Sequence, residues 1–267
     1  MTPPDALFTA DGGTFTPTEL SRGPWDPRAC HGGPVGALLA RAVERAPGGE
    51  VDWLVARLTV ELTRPVPLEP LTLTTEVIRP GRKVSMIEAQ LDRASDGVEV
   101  ARVRAVRIRR DAIGIPEQAT RREPAFGPAG VGALAPPGFE ETDVLAFHKD
   151  GCEHRYVNGA FSDPGPVQVW IRLSVPLLAG EELTGLQRLV AAADFGNGVS
   201  GALPWDEFVF INPDLTVHLL REPVGEWIGL DSRSHYAPEA TRFAESALYD
   251  GSGRVGRSVQ SLFIDRR

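Results

Sequence analysis

The stretch LTVELTRPVP at Leu58–Pro67 returns as LTVHLLREPV at Leu215–Val224, half a chain later. Each copy alternates apolar and polar side chains, as a strand with one buried face does, and runs into a proline-containing turn. The elements around the two copies also follow one order, which indicates an internal duplication of one α+β unit. Chance similarity between two amphipathic strands is the alternative interpretation.

The first copy lies in a half-chain that begins with an amphipathic helix. In residues 34–46 the apolar side chains recur at helical spacing, Pro34 suits the first helical position, and PGG at Pro47–Gly49 ends the helix. Four β-like runs separated by turn signals follow, at Trp53–Leu62, Leu71–Arg79, Val84–Arg93 and Val98–Arg110. This half therefore predicts a helix followed by an antiparallel meander.

The second copy has similar surroundings. A predicted strand and helix precede four predicted strands, in the order Val167–Val175, Glu181–Asp194 (helix), Phe208–Leu220, Trp227–His235, Thr241–Tyr249 and Val255–Ile264. The final strands of the two halves also align, GVEVARVRAVRIRR over GRVGRSVQSLFIDR. We therefore predict one unit at residues 1–110, a connector rich in Pro, Gly and Ala at 111–150, and a second unit at 151–267.

Composition narrows the class of protein. The 267 residues are 42 % apolar and 24 % charged, as in ordinary globular proteins, and no apolar run reaches the roughly 18 to 20 residues that span a bilayer. A net charge of −8 argues against a nucleic-acid partner. The two cysteines, Cys30 and Cys152, and an N-terminus without the pattern of a secretory signal predict a cytoplasmic protein with no membrane partner.

Six short motifs, taken in order, resemble those of the acyl-CoA thioesterase II and thioesterase-like group. They are HGGPVGALLARA, VIRPGRKVSMIEAQL, AAADFGNG, DLTVHLLREP, GEWIGLDSRS and GRVGRSVQS, which begin at His31 and end at Ser261. The resemblance implies a double hotdog fold, in which each of two tandem units wraps an antiparallel sheet around a central helix. It also implies hydrolysis of a fatty or related acyl-CoA by direct attack of water, with no cofactor or metal, in a homodimer.

Asp194 is the first candidate catalytic residue. It lies four residues after Val190, on or beside the apolar stripe of the second predicted helix, so its carboxyl group is expected to face the core. The alternative is that it leaves the helix end and hydrogen-bonds the amides of the following FGNGVSG loop. The resemblance assigns Asp194 the role of orienting or deprotonating the attacking water.

Gln260 and Thr216 are the other candidate catalytic residues. Strand alternation puts Gln260 among apolar neighbours, whereas the aligned residue of the first copy is Arg104, so the two halves differ at this position. A hydrogen-bonded core glutamine is the alternative. Thr216 shares a strand face with His218 and aligns with Thr59, and a structural role is open for it too. The resemblance implies that Gln260 and Thr216 hold the water.

The HGG sequence at His31, Gly32 and Gly33 is the candidate substrate-binding site. Unpaired backbone N–H groups at a helix start carry the positive end of the helix dipole, and glycines allow a thioester carbonyl to approach them. The two glycines could equally be turn residues without a ligand. We expect His31 to position this loop or line the pocket rather than act as a base, and we do not expect Cys30 to be a nucleophile.

Other groups give weaker signals. His148, Cys152 and His154 lack the spacing of a zinc site, and no phosphate-binding loop or dinucleotide fingerprint is present. The arginines between Arg102 and Arg110 suit either coenzyme A phosphates or a solvated strand face. A non-catalytic acyl-CoA binding protein and an enoyl-CoA hydratase-like hotdog enzyme are the alternative functions.

Overall fold

The computed structural model describes residues 4–120, 122–134, 144–161, 163–237 and 239–267. Within these residues the α-helices are α1 (Gly32–Arg45), α2 (Gly185–Ala193) and α3 (Gly196–Val199). The strands are β1 (Phe8–Asp11), β2 (Thr14–Pro17), β3 (Trp53–Glu61), β4 (Leu71–Arg79), β5 (Val84–Arg93), β6 (Glu99–Arg109), β7 (Ala133–Leu134), β8 (Cys152–Asn158), β9 (Val167–Leu173), β10 (Phe208–Ile211), β11 (Asp214–Leu219), β12 (Ile228–His235), β13 (Arg242–Asp250) and β14 (Gly253–Arg266).

The strands form one continuous sheet in the order β1-β2-β4-β5-β6-β3-β11-β14-β13-β12-β9-β8-β7, with β10 paired to β14. The run β2-β4-β5-β6-β3 of the first half has the counterpart β9-β12-β13-β14-β11 in the second half. Each half also has one long helix that packs on the sheet, α1 between β2 and β3 and α2 between β9 and β10. This topology is the double hotdog arrangement that the sequence predicts.

The two copies of the repeated stretch lie side by side at the centre of the sheet. Strand β3 pairs antiparallel with β11, and Thr59 lies directly opposite Thr216, so a pseudo-two-fold axis passes between these two residues. Leu58 and Val60 are buried, and so are their register partners on β11. Because side chains alternate along a strand, the two threonines point to the opposite face, where the Thr216 hydroxyl lies 3.2 Å from that of Thr59.

The helices of the two halves pack against each other on the buried face of the sheet. A Cβ on Gly36 of α1 would lie 2.8 Å from Cγ1 of Val190 in α2, so glycine permits the close approach of the two helices at this point. The Arg41 guanidinium donates to both carboxylate oxygens of Glu181, at 2.7 and 2.8 Å, and ties α1 to the segment before α2. The helical apolar stripes therefore meet each other as well as the sheet.

Several sequence predictions differ from the structure. The helix predicted at Glu181–Asp194 begins only at Gly185, because Thr184 is its N-cap. The single strand predicted at Phe208–Leu220 is wrong, because Asn212 and Pro213 separate β10 from β11, and proline has no N–H for a sheet ladder. Strands β1, β2, β7 and β8 were not predicted. Residues 121 and 135–143 of the predicted connector lie outside the described residues, and the division into units at 1–110, 111–150 and 151–267 stays a prediction. No helix of the described residues is long and apolar enough to cross a membrane.

An ion pair between a partly exposed arginine and a buried carboxylate holds the turn at the end of the second copy of the repeat. The Asp250 carboxylate is fully buried and accepts hydrogen bonds from the Arg221 guanidinium, from Val224 N–H at 2.9 Å and from Ser252 N–H at 2.7 Å. Burial alone would raise the pKa of Asp250, but these donors outweigh it and keep the pKa below its ordinary value. The ionised carboxylate therefore stabilises the fold above the unfolded-state pKa of about 3.9, and this stabilisation is lost as the pH falls through the folded-state pKa.

We expect Asp250→Asn to lower the free energy of unfolding by about 2 kcal/mol at pH 7, because the Arg221 guanidinium loses its charged partner but is itself partly solvated. The difference from the wild type should shrink below about pH 4. Urea unfolding at pH 7 and pH 3 measures both effects. The exposed pairs of Glu245 provide the control, since Glu245→Gln should change stability by no more than about 0.5 kcal/mol. Equal losses in the two variants would contradict the prediction.

Candidate active site

A cavity of about 480 Å³ lies where the N-terminus of α1 meets the segment after α2. Most of its wall is apolar and comes from both halves of the chain, including Trp25, Val35, Phe161, Trp205, Ile211 and Phe263. One part of the wall is polar and carries His31, Asp194, Asn197 and Asn212. An apolar cavity with a few convergent polar groups is the usual form of a small-molecule site.

Asp194 directly follows α2 and its side chain is only 4 % exposed. The helical stripe predicts this burial. Oδ1 accepts a hydrogen bond from Nδ2 of Asn212 at 2.8 Å and a longer one from Nε2 of Gln260 at 3.4 Å. Oδ2 lies 2.9 Å from Nδ1 of His31. The carboxyl group is thus partnered on both oxygens and still borders the cavity.

Gly32 and Gly33 allow the end of α2 to approach the start of α1. A Cβ on Gly32 would lie 2.7 and 2.8 Å from the carboxylate oxygens of Asp194, and a Cβ on Gly33 would lie 2.7 Å from the carbonyl oxygen of Ala191. The carboxyl group therefore lies against the positive end of the α1 dipole. The N–H of Gly33 donates to Nδ1 of His31 at 3.0 Å, so the predicted carbonyl-binding donor has a protein partner here.

Gln260 lies behind Asp194. Its Nε2 donates to the backbone carbonyl of Asp194 at 3.2 Å, and its Oε1 accepts from the N–H of Asn197 at the same distance. The side chain is 1 % exposed and is not among the described residues that line the cavity. Gln260 is therefore placed to hold the end of α2 and Asp194, whereas the expected contact with a water in the cavity is not supported by this geometry.

Thr216 is not brought to Asp194, which corrects the sequence-based expectation. Its register partner on β14 is Val259, so the threonine shares a face with Val259, while the neighbouring Gln260 points to the helices. Asn212, in the break between β10 and β11, reaches the carboxylate instead. The sequence carried a signal for this residue, because Asn-Pro is a turn dipeptide that interrupts the predicted strand.

Aromatic rings pack around His31. Its ring centroid lies 5.1 Å from that of Phe147 and 4.7 Å from that of Phe195, and Phe195 also contacts the ring of His154 at 4.9 Å. Burial lowers the pKa of His154 to about 3, with the nearby imidazoles adding to the effect, so His154 is neutral at physiological pH. Burial raises the pKa of the Cys30 thiol, which opposes a nucleophilic thiolate.

The described residues contain no group of three or more His, Cys, Asp or Glu side chains arranged to hold a metal ion. The arginines of β6 and the residue after it face acids or carbonyl groups instead of the cavity. Arg102, Arg104, Arg109 and Arg110 contact Glu99, Glu88, Asp111 and Glu222, and Arg107 donates to the carbonyl groups of Ala46 and Pro47. These contacts favour a structural role for the five arginines over binding of coenzyme A phosphates.

Two tryptophans close the apolar part of the wall across the two halves. Trp25 precedes α1, Trp205 follows α3, and their rings stack at 4.8 Å with an interplanar angle of 13°. The edge of Phe210 supports both rings, at 4.9 and 4.5 Å. Offset stacks of this kind stabilise a wall by about 0.5 to 1.5 kcal/mol per pair beyond burial. The cavity is therefore bounded by a packed aromatic cluster from both halves.

Family models match both halves of the chain. An acyl-CoA thioesterase N-terminal domain model matches residues 21–108, and an acyl-CoA thioesterase C-terminal domain model matches residues 124–264. A search of curated proteins gave no significant match.

Solved structures share the fold at low sequence identity. A conserved protein of unknown function with a hot dog fold from Alicyclobacillus acidocaldarius is 16 % identical, with a TM-score of 0.72 over 98 % of this chain and 97 % of that one. The tesB protein of Mycobacterium avium subs paratuberculosis is 13 % identical, with a TM-score of 0.66 over 97 % and 96 %. An acyl-CoA thioesterase II, TesB2, from Mycobacterium marinum is 15 % identical, with a TM-score of 0.63 over 96 % and 94 %.

The tight contact at Gly33 gives a prediction about stability. Gly33→Ala should lower the free energy of unfolding by about 1 to 3 kcal/mol, because the added methyl group meets a helix carbonyl oxygen that cannot move freely. Thermal and urea unfolding measure the change. Gly13→Ala is the matched control, since a Cβ there meets nothing within 4 Å, and it should stay within about 0.5 kcal/mol of the wild type. A Gly33→Ala variant as stable as the wild type would contradict the close contact between Gly33 and the carbonyl oxygen of Ala191.

Proposed function

This chain belongs to the family of the acyl-CoA thioesterase N- and C-terminal domains, and on that premise we propose that it hydrolyses a fatty or related acyl-CoA to the free acid and CoA. The observation that carries the proposal is the buried carboxyl group of Asp194 in the polar wall of an apolar cavity. The cavity suits an acyl group, and the carboxylate suits activation of a water beside the thioester.

The proposed reaction is direct attack by water. Asp194 takes one proton of the water, and the hydroxyl oxygen adds to the thioester carbonyl carbon. The C–S bond then breaks, and the sulfur leaves with the proton that Asp194 took. A positioned carboxylate in this role contributes about 10² to 10⁴ in rate. No covalent intermediate and no metal enter this scheme.

Asn212 and Gln260 have different roles in the proposal. Asn212 borders the cavity and donates to Oδ1 of Asp194, so it orients the carboxylate and is near enough to contact the water. Gln260 orients Asp194 from behind through the backbone and side-chain contacts of the α2 terminus. Thr216 takes no part, because its hydroxyl lies on the other face of the sheet beside Thr59.

The start of α1 supplies the proposed site for the thioester carbonyl. Backbone N–H groups near Gly32 and Gly33 lie at the positive end of the helix dipole, where the developing oxyanion is stabilised. Loss of one such donor typically costs about 10² to 10³ in rate. We also propose a cytoplasmic homodimer that uses no cofactor, in keeping with the two unpaired cysteines.

The contact between Asp194 and His31 favours one other reaction. A hydratase on this fold needs an aspartate and a histidine beside an enoyl thioester, and here Nδ1 of His31 lies 2.9 Å from Oδ2 of Asp194. Hydration of an enoyl-CoA is therefore the second candidate, behind hydrolysis, which the family models favour. Binding of acyl-CoA without turnover is the third.

Thiol release from short, medium, long and aromatic acyl-CoAs tests the proposal. We expect release from at least one substrate, and a fall of about 10² or more in Asp194→Asn, because the amide cannot accept the proton of the water. Enoyl-CoA is assayed in parallel for loss of the conjugated double bond. Hydration without thiol release would establish the second candidate, and binding without either reaction would establish the third. Unchanged hydrolysis in Asp194→Asn would refute the site.

The positions of Asn212 and Thr216 give a second kinetic prediction. Asn212→Ala should reduce kcat by about tenfold to 10², because Oδ1 of Asp194 loses its closest donor, at 2.8 Å. Thr216→Val keeps the strand shape and should leave kcat within about twofold, since its hydroxyl contacts that of Thr59 on the face of the sheet away from the helices. Steady-state kinetics on the best substrate compares the two variants. A large loss in Thr216→Val with full activity in Asn212→Ala would reverse the assignment.

A further inference from the structure

Nδ1 of His31 lies between two groups that place opposite demands on it. Gly33 N–H donates to this atom at 3.0 Å, and Oδ2 of Asp194 lies 2.9 Å from it. A ring nitrogen carries either a hydrogen or an in-plane lone pair, so Nδ1 either donates to the carboxylate or accepts from the backbone. The His31 side chain is 10 % exposed and that of Asp194 is 4 % exposed, so little water reaches either group to relieve the conflict.

The proton that lies between Oδ2 and Nδ1 has two possible positions. In the first, Nδ1 accepts from Gly33 N–H, and the carboxyl group of Asp194 holds the proton that lies between Oδ2 and Nδ1, since a lone pair and an ionised oxygen at this distance repel each other. In the second, Nδ1 holds that proton and donates it to an ionised Asp194. Gly33 N–H then has no lone pair to donate to at His31 and is free for another acceptor.

We propose that His31 is a positioning residue that exchanges these two arrangements when a thioester carbonyl binds to Gly33 N–H. This inference rests on the proposed function and assigns His31 a role in that same site. The bound carbonyl takes the backbone donor, and the proton moves from Oδ2 to Nδ1. Asp194 is therefore ionised, and able to act as a base, only in the complex in which the substrate carbonyl accepts from Gly33 N–H.

With this exchange, the protons taken up and released over one reaction cycle balance. The proton passes from Asp194 to His31, Asp194 then takes one proton from the attacking water, and the hydroxyl oxygen adds to the carbonyl carbon. When the C–S bond breaks, the sulfur takes the one proton that the pair holds in excess, and the resting arrangement returns. No oxidant, metal or second substrate is needed.

Several other charged or titratable groups share the cavity wall with His31. They are Asp26, Cys30, Arg64, His148, His154 and Asp194. Asp194 is the carboxylate within hydrogen-bond distance of Nδ1, and the rings of Phe147 and Phe195 pack against the imidazole. The exchange therefore concerns Nδ1, Gly33 N–H and Oδ2 of Asp194.

Substitutions of His31 separate this role from simple helix capping. Asparagine is among the best N-cap residues and keeps an acceptor for Gly33 N–H, so a capping role predicts near wild-type kcat in His31→Asn. The exchange predicts that kcat falls by about 10², because the side-chain oxygen always accepts from Gly33 N–H, with KM changed by less than about threefold. The melting temperature should stay near that of the wild type. His218→Asn, on the exposed face of β11, is the matched control and should keep full activity.

Nitrogen NMR of labelled protein reads the exchange directly. The probe is a ketone analogue of acyl-CoA with a methylene group in place of the sulfur, and an S-alkyl-CoA without the carbonyl is the control ligand. We expect Nδ1 of His31 to change from the unprotonated to the protonated range with the ketone only, and to stay unprotonated in Asp194→Asn. The missing signal in His31→Asn assigns the resonance.

The outcomes distinguish this inference from the proposed function. Bound ligands move the indole signals of Trp25 and Trp205, which line the cavity. A ketone that binds without changing Nδ1, or full activity in His31→Asn, overturns the exchange and leaves hydrolysis intact. If neither ligand moves the indole signals, the acyl-CoA proposal fails, and the role of His31 fails with it.

Discussion

The antiparallel pairing of β3 with β11 is the constraint on which the rest of the molecule depends. With Thr59 opposite Thr216, the two half-sheets become one, and the pseudo-two-fold axis that this register creates sets the two helices against each other on the buried face. The start of each helix then lies near the end of the other. Asp194 at the end of α2 meets Gly32 at the start of α1, and Glu44 near the end of α1 meets Gln187 at the start of α2.

The same axis relates the cavity beside Asp194 to a second cleft of about 370 Å³. The residues of the second cleft explain why we propose only one active site in the chain. Arg107 lies in the second cleft, where it donates to the carbonyl groups of Ala46 and Pro47 and covers the ring of Trp53. Strand pairing gives Leu262 as its counterpart in the second half, because Arg107 pairs with Ser85 and Leu262 pairs with Arg242 at matching places in the two halves. An arginine that satisfies helix-end carbonyls thus lies where the second half has a buried leucine, and the second cleft is unsuited to an acyl group.

Sequence periodicity located the buried acid and amide but not their partners. Asp194 and Gln260 follow from helical and strand alternation, because burial on one face of an element is a local property. Alternation also grouped Thr216 with His218, yet only the register against Val259 shows that this face lies away from the helices. The contacts of Asp194 with His31 and Gly32 join residues far apart in the chain, and nothing local encodes the docking of the two halves. Asn212 could have been predicted to leave the strand, because Asn-Pro is a turn signal in the sequence.

The proposed site draws on both copies, and neither copy contains its parts alone. The first half supplies the glycines and His31 at a helix start, whereas α2 begins with Thr184 as its N-cap and has Gly185 as its first residue. The second half supplies the acid and the two amides that hold it. Strand pairing gives Ala105, which has no polar side chain, as the first-half counterpart of Gln260, and corrects the sequence alignment with Arg104, which lies on the outward face beside Glu88. In a dimer of two identical single units, each unit would have to carry all of these groups. Because the duplicated units lie in one chain, each keeps only its own share of the site, and the other cleft is free to be filled by Arg107, which stabilises the end of α1.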